Sequence, residues 1–194
     1  MKLYYAPGAC SLSDHIALHE ADIAFEHDRV DLKTRRTEQG EDYAAINPKG
    51  YVPALRLDDG ELVTENIAIL DWIAGQAPAL APPGPMGRTR MLEALAYIST
   101  ELHKNFAPFF KGASDEEKGK AGEAIAKRLG YLAERMEGDY LFGNRFGVAD
   151  AYLFVMLFWA KKNDMPLPDP LPAYFGRVRS RASVEEAMHH EGIG

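Results

Sequence analysis

The 194 residues are 46% hydrophobic and 26% charged, the proportions of a soluble globular chain, and no apolar run approaches the roughly 20 residues of a membrane-spanning helix. The formal net charge is -7 and the sequence pI about 5.4, so the surface repels phosphate backbones and nucleic acid is not an expected partner. Arg35-Arg36 and Arg177 to Arg181 are the only tight basic groups, and the opening Met1-Lys2-Leu3-Tyr4-Tyr5 is too short and polar for a secretory signal, which makes a cytoplasmic location the expectation.

In chain order, Lys2 to Tyr5 predicts a short strand. Leu12 to Ala21 carries Ile16, Ala17 and Leu18 in a helical pattern. Phe25 to Val30 alternates and predicts a second strand. A charge-rich stretch, Asp31 to Asp42, precedes the loop Asn47-Pro48-Lys49-Gly50. Pro53 to Leu57 alternates as a strand, and Asp58-Asp59-Gly60 supplies the positive φ angles of a hairpin turn into Glu61 to Val63. Ile67, Ile69, Leu70 and Ile73 then give a helix. The order is β-α-β, a connecting segment, and β-β-α.

Ala77 to Pro85 is too dense in proline to extend a helix or pair in a sheet. It predicts a boundary between a first domain at 1–76, a linker at 77–87 and an all-helical domain at 88–194. In the latter, Met91, Leu95, Ile98, Leu102, Phe106 and Phe109 share one face of a helix running from Arg88 to about Phe110. Ser114 with Glu117 three residues on predicts a capping box. Val148 to Lys162 reads as a buried central helix, followed by helices at about Leu171 to Ser180 and Val184 to Glu191.

The single cysteine, Cys10, rules out an intramolecular disulfide. The six histidines show no HExxH or HxH spacing, and no metal is expected. Redox chemistry at Cys10 must therefore borrow a second sulfur. The residue lies between a strand end and a helix start, where unpaired amides carry partial positive charge and favour a thiolate, the reactive form. A small buried hydrophobe suits the same position equally well.

Lys2 to Glu20, including Tyr5-Ala6-Pro7-Gly8-Ala9-Cys10-Ser11, closely resembles the opening of the bacterial beta-class glutathione transferases. The likeness continues through Gly40-Glu41-Asp42-Tyr43, Ile46-Asn47-Pro48-Lys49-Gly50-Tyr51-Val52-Pro53-Ala54-Leu55, Leu57 to Gly60, Glu101-Leu102-His103-Lys104 and Val148 to Phe154. The resemblance implies a thioredoxin-like first domain (βαβ-α-ββα), an all-α second domain and a homodimer. It also implies that Cys10 meets the glutathione sulfur and can form a mixed disulfide with it. Pro53 would be cis, with Val52 offering its backbone to the cysteinyl unit and Tyr51 beside it.

Glu65-Asn66 opens the helix after the hairpin and suits the γ-glutamyl end, which has an ammonium and a carboxylate on one carbon. The family usually has Ser or another small residue after this Glu, and the Asn66 amide oxygen can still cap. Arg35 stands where the family has a lysine and would meet the glycyl carboxylate. His103, about 80° from Leu95 on a regular helical wheel, would reach a cleft from the shoulder of the apolar face and hydrogen-bond the glutathione sulfur, with Lys104 adding positive potential. Thr100 and Glu101 fall at positions near glutathione, Glu101 with reach across a dimer.

Two departures stand out. Ala96 replaces an asparagine that contacts glutathione, and Gly147 replaces the Ser or Thr that caps the helix at Val148, leaving Asp150 without that hydroxyl. Tyr5 and Ser11 are the sulfur activators of other transferase classes and compete with Cys10 for the role, Tyr5 last. A few of Phe106, Phe109, Phe110, Tyr152 and Trp159 are expected to line an apolar electrophile pocket, the others forming core.

The leading expectation is conjugation of the glutathione thiolate, as co-substrate, to small apolar electrophiles in detoxification. Glutathione-dependent disulfide or peroxide reduction through Cys10 uses the same site. A non-catalytic ligand- or protein-binding module of the same fold is the alternative, which Ala96 leaves open. No motif encodes the physiological electrophile.

Overall fold

The computed structural model describes residues 1–194. By contact the chain divides into two compact units, Met1–Pro78 with Arg181–Gly194, and Ala79–Ser180. The first contains a five-stranded sheet in the order β3-β2-β1-β4-β5, formed by β1 (Lys2–Tyr5), β2 (Glu26–Asp31), β3 (Arg36–Thr37), β4 (Ala54–Arg56) and β5 (Leu62–Thr64). Central β1 runs parallel to β2 and antiparallel to β4. Side chains alternate across a strand, so Tyr4 joins Val30, Tyr43, Val52 and Ala54 in one apolar cluster while Tyr5 lies among aromatic rings with His15 and His27.

Helices α1 (Leu12–Glu20), α2 (Tyr43–Ile46) and α3 (Asn66–Gln76) complete the β-α-β, β-β-α plan, which is the thioredoxin-like arrangement expected. The hairpin turn forms as predicted: Gly60 has φ 92, its N–H donates to the Leu57 carbonyl, and the Leu57 N–H donates to the Glu61 carbonyl. The two-residue β3 is new. It sits inside a charged stretch, where only Thr37 is buried and no alternation can show.

The last helix, α9 (Ala182–His190), packs on α1 and belongs to the first unit. Arg181 pairs with the Glu20 carboxylate, and the Ser183 hydroxyl donates to the same group at 2.6 Å. A helical domain running to residue 194 therefore does not describe the contacts: the second unit ends at Ser180.

In that second unit the helix predicted over 88–110 is broken in its middle. α4 (Gly87–Tyr97) gives way to a π turn at Ile98–Leu102 and a 3₁₀ turn at His103–Phe106 before the short α5 (Ala107–Phe110). Met91, Leu95, Ile98, Leu102 and Phe106 are all buried, so the apolar face survives the change of pitch. The Asn105 amide donates to the Glu101 carbonyl at 2.6 Å, satisfying an acceptor within the irregular turn. α6 (Asp115–Ala133) opens with the predicted capping box, the Glu117 N–H donating to Ser114 Oγ and the Ser114 N–H to the Glu117 carboxylate.

α7 (Val148–Lys162) is buried without interruption from Val148 to Leu157, and α8 (Leu171–Arg179) follows. Asp150, 1% exposed, accepts from the Leu141 and Gly147 N–H groups, both at 2.9 Å. Its missing hydroxyl partner is supplied from elsewhere, since Tyr174 donates to Oδ1 at 2.9 Å. A Cβ on Gly147 would lie 2.7 Å from the Leu80 carbonyl oxygen, so backbone occupies the space a serine or threonine would need.

Candidate active site

The loop between β1 and α1 is a tight backbone turn. Ala9 N–H donates to the Ala6 carbonyl (3.0 Å) and Leu12 N–H to that of Ala9 (3.1 Å), while Gly8 takes φ 68, a conformation glycine adopts without penalty. Cys10, half-buried, emerges from this turn and donates its thiol to the Val52 carbonyl at 3.7 Å. The Val52–Pro53 bond is cis. The preceding carbonyl, that of Tyr51, is fixed by two donors, the Tyr43 hydroxyl at 3.0 Å and the Asn47 amide at 2.8 Å. Two segments that the resemblance assigned to one ligand thus meet at one sulfur.

The protonation state differs from expectation. Burial pushes the Cys10 thiol up to about 12, helped by the Asp14 carboxylate in the first turn of α1, and the Cys10 and Ser11 amides only partly oppose this. A helix start was expected to yield a thiolate. Desolvation wins because it acts on the whole charge, whereas the terminal amides offer a fraction of one. Asp14 is fully buried, is itself pushed well above the carboxylate range by burial, and has one oxygen without a hydrogen-bond partner.

Asn66 turns inward rather than capping α3, which has no side-chain cap. With its amide nitrogen towards α1, it donates to Asp14 Oδ2 (2.6 Å) and the Cys10 carbonyl (3.2 Å), and its oxygen accepts from the Ser13 hydroxyl (3.1 Å). The residue before it, Glu65, sits at φ 75, a region costly for any residue but glycine. That backbone presents a carboxylate whose Oε1 accepts from Lys49 Nζ at 2.5 Å and the Tyr51 hydroxyl at 2.6 Å. These partners hold the Glu65 carboxyl below its ordinary range. Lys49, which nothing in the sequence but its place within a matched motif singles out, joins this carboxylate. Arg35 is exposed, at φ 56, and its guanidinium carbon lies 3.8 Å from where a Gly50 Cβ would be. That puts it beside the Gly50-Tyr51-Val52 loop.

Tyr5 and Ser11 are committed elsewhere. The buried Ser11 hydroxyl exchanges hydrogen bonds with Ala6, accepting from its N–H (3.3 Å) and donating to its carbonyl (3.4 Å), and so braces the turn. The Tyr5 hydroxyl donates to the His190 carbonyl at 3.4 Å, and burial followed by the Glu191 charge pushes it up. A cleft of about 660 Å³ opens next to this loop, walled by Ala6, Pro7, Arg29, Lys33, Thr34 and Glu38. Of these, only Ala6 and Pro7 lie within three residues of a predicted site residue other than Arg35.

In the second unit, His103 is half-buried at the start of the 3₁₀ turn. The π turn separates it from Leu95, so the regular wheel that put it on an open shoulder does not apply. Its Nδ1 lies 2.7 Å from the Tyr152 hydroxyl, and its ring meets Trp159 edge-on at 5.0 Å. Burial, then the Lys104 charge, pushes the imidazole down to about 4. Thr100 is exposed with its hydroxyl donating to the Ala96 carbonyl at 2.9 Å. Glu101 accepts from Arg128 Nε and Nη2 at 3.1 and 2.8 Å, an engagement within the chain in place of free reach. Phe106, Tyr152 and Trp159 are core, whereas Phe110 is 58% exposed with its ring edge-on to Trp159 at 4.8 Å.

Comparison with known proteins agrees with this geometry. The family model described as "Glutathione S-transferase, N-terminal domain" matches residues 9–76, and "Glutathione S-transferase, C-terminal domain" matches 115–179. The chain is 43% identical to glutathione S-transferase GstA of Escherichia coli O157:H7, over 100% of both chains. Among solved structures it resembles a bacterial beta-class glutathione S-transferase of Sphingomonas chungbukensis, with TM-score 0.90, 46% identity and 100% of both chains covered. It resembles a sphingomonad glutathione S-transferase complexed with glutathione to the same TM-score, at 45% identity and 100% coverage of both. A lone thiol facing a Val-Pro backbone edge, a strained glutamate at a helix start and two matching family models over most of the length have one common source: the chain belongs to the glutathione S-transferase family.

Proposed function

We propose that the chain is a glutathione transferase that joins the glutathione sulfur to small apolar electrophiles. The observation that carries the reading is the meeting of Cys10 with the Val52 carbonyl beside the Val52–Pro53 bond. Residues 1–76 would supply the glutathione site. There Val52 offers its backbone to the cysteinyl unit, Glu65 and the α3 amides take the γ-glutamyl end, and Arg35 takes the glycyl carboxylate. Tyr51 and Lys49 order Glu65; the ammonium of the tripeptide would compete with Lys49 for it. Asn66 acts indirectly, holding α3 against Asp14 and the Cys10 carbonyl.

Because Cys10 remains a thiol near neutrality, its role in conjugation is to donate a hydrogen bond to the glutathione sulfur, whose thiolate is the nucleophile. The sulfur attacks carbon, the carbon–halogen bond breaks and halide leaves; with an activated double bond, a proton from water completes the addition. By resemblance to the family, His103 is the residue that would hydrogen-bond the glutathione sulfur, as a neutral imidazole whose Nδ1 is engaged with the Tyr152 hydroxyl. Lys104 would add positive potential, and Thr100 and Glu101 would border the tripeptide. Phe110, exposed against Trp159, is the aromatic residue best suited to meet an apolar co-substrate. We also propose a cytoplasmic homodimer in detoxification, on the strength of the family; no helix is long and apolar enough to cross a membrane.

Disulfide exchange through Cys10 is the second reading, favoured by a lone cysteine that is only partly buried as a residue. Turnover of glutathione with an aryl halide and with a mixed disulfide, in wild type and Cys10→Ala, tests both. Conjugation should proceed in the wild type and persist in part in the variant, while disulfide reduction should be lost. Absence of both activities from the folded wild type would favour a non-catalytic module.

A further inference from the structure

Four of the six histidines gather in one cluster of the first unit, although the sequence shows no HExxH or HxH spacing: His15 and His19 come from α1, His27 from β2 and His190 from the end of α9. Their rings pack 4.9 to 5.6 Å apart, centroid to centroid, with Phe25 and Tyr5 around them. One nitrogen from each of His15, His27 and His190 lies within 4.8 Å of the other two. We propose that these three imidazoles bind a divalent late first-row transition-metal ion, Zn²⁺ being the simplest occupant.

His15 is the fixed member of the cluster. It is fully buried, its Nδ1 lies 3.1 Å from Glu191 Oε1, and its Nε2 is buried with no hydrogen-bond partner. A buried ring nitrogen left unsatisfied is uncommon and asks for an explanation. In the tautomer that donates Nδ1–H to Glu191, whose carboxyl burial pushes up to about 8, the lone pair on Nε2 is free to ligate. A carboxylate on the far nitrogen is also the usual support of a metal-bound histidine. Glu191 is anchored in turn, its Oε2 accepting from the Gly8 N–H at 2.8 Å. That single carboxylate therefore ties the proposed ligand to the turn that carries Cys10.

Charge and geometry agree. Burial pushes His15 down to about 3, and burial pushes His19 and His27 down despite the opposing charges of Glu186 on the first and of Glu38 and Asp28 on the second. His15, His19 and His27 are therefore neutral at physiological pH, the form that binds metal. Zinc–nitrogen bonds of about 2.0–2.1 Å require nitrogens about 3.4 Å apart in a tetrahedron. His27 and His190 are exposed and free to close that gap around the fixed His15. Imidazole donors suit Zn²⁺, Cu²⁺ and Ni²⁺ over Mg²⁺ or Ca²⁺. A fourth position would fall to water or to His19, whose Nε2 is also buried without a partner.

The test uses tag-free, chelator-treated protein, titrated with Zn²⁺ in competition with a chromophoric chelator. One Zn²⁺ per chain is expected. His27→Ala and His190→Ala, both at exposed positions, should each weaken binding at least about tenfold, and the double variant should lose it. His189→Ala and Cys10→Ser should retain it. In the wild type, Zn²⁺ should also move the ¹⁵N resonance of His15 Nε2, a readout that needs no variant. No stoichiometric uptake, equal uptake by the double variant, or an unmoved His15 resonance would overturn the site and show the cluster to be a packing of rings alone.

Discussion

The Cys10 thiol and the Val52 carbonyl, 42 positions apart, are joined by an S–H···O contact of 3.7 Å. The thiol is pushed up from its ordinary 9.0 to about 12, by burial and then by Asp14. The folded chain therefore holds this proton more tightly than the unfolded chain does. Between about pH 9 and 12 unfolding releases it, so stability contributed by the neutral thiol is complete below that window and falls as pH rises through it. Urea denaturation across this range should show a slope that Cys10→Ala flattens. Identical slopes would place the thiolate in the folded state.

His103 makes a separate prediction about activity. A neutral imidazole, down at about 4 and tied to Tyr152, does not change charge between pH 5 and 8. The pH profile of kcat/KM for conjugation should then lack an inflection near the ordinary histidine value. An inflection there that disappears in His103→Gln would contradict the assigned protonation.

Gly147 should resist repair. Restoring the hydroxyl with Gly147→Ser adds a Cβ 2.7 Å from the Leu80 carbonyl oxygen, while Asp150 already receives the Tyr174 hydroxyl. Crowding against backbone in a packed region costs about 1–3 kcal/mol, more than the few tenths that separate glycine from the better caps. A lowered melting temperature is expected; a raised one would mean that the Leu80 segment moves aside freely.

Much of the architecture is legible in the residues because it depends on local chemistry. The Asp-Asp-Gly turn, the Ser114–Glu117 box and the apolar α7 all form where turn, cap and periodicity place them. The π turn at Ile98–Leu102 is not legible, since apolar residues three and four apart satisfy a regular helix and a locally unwound one alike. Cys10, Val52 and Glu65 can be picked out by their resemblance to a family, yet the protonation of Cys10 depends on how deeply Asp14 and the sulfur are buried. Asn66 reads as a cap and turns out to serve Asp14: its amide nitrogen donates to that buried side chain, and the oxygen that would have capped accepts from the Ser13 hydroxyl. The histidine cluster is hidden for the simplest reason, that its members are up to 175 positions apart in sequence (His15 to His190).

Glutathione recognition itself is tested most directly by equilibrium titration of the tripeptide into the folded protein, with Glu65→Gln in parallel. One molecule of glutathione per chain is expected for the wild type. The variant loses the carboxylate offered to the γ-glutamyl ammonium and should bind about tenfold more weakly or worse, a difference of about 1.4 kcal/mol. No binding to the wild type, or equal binding by the two proteins, would contradict the account.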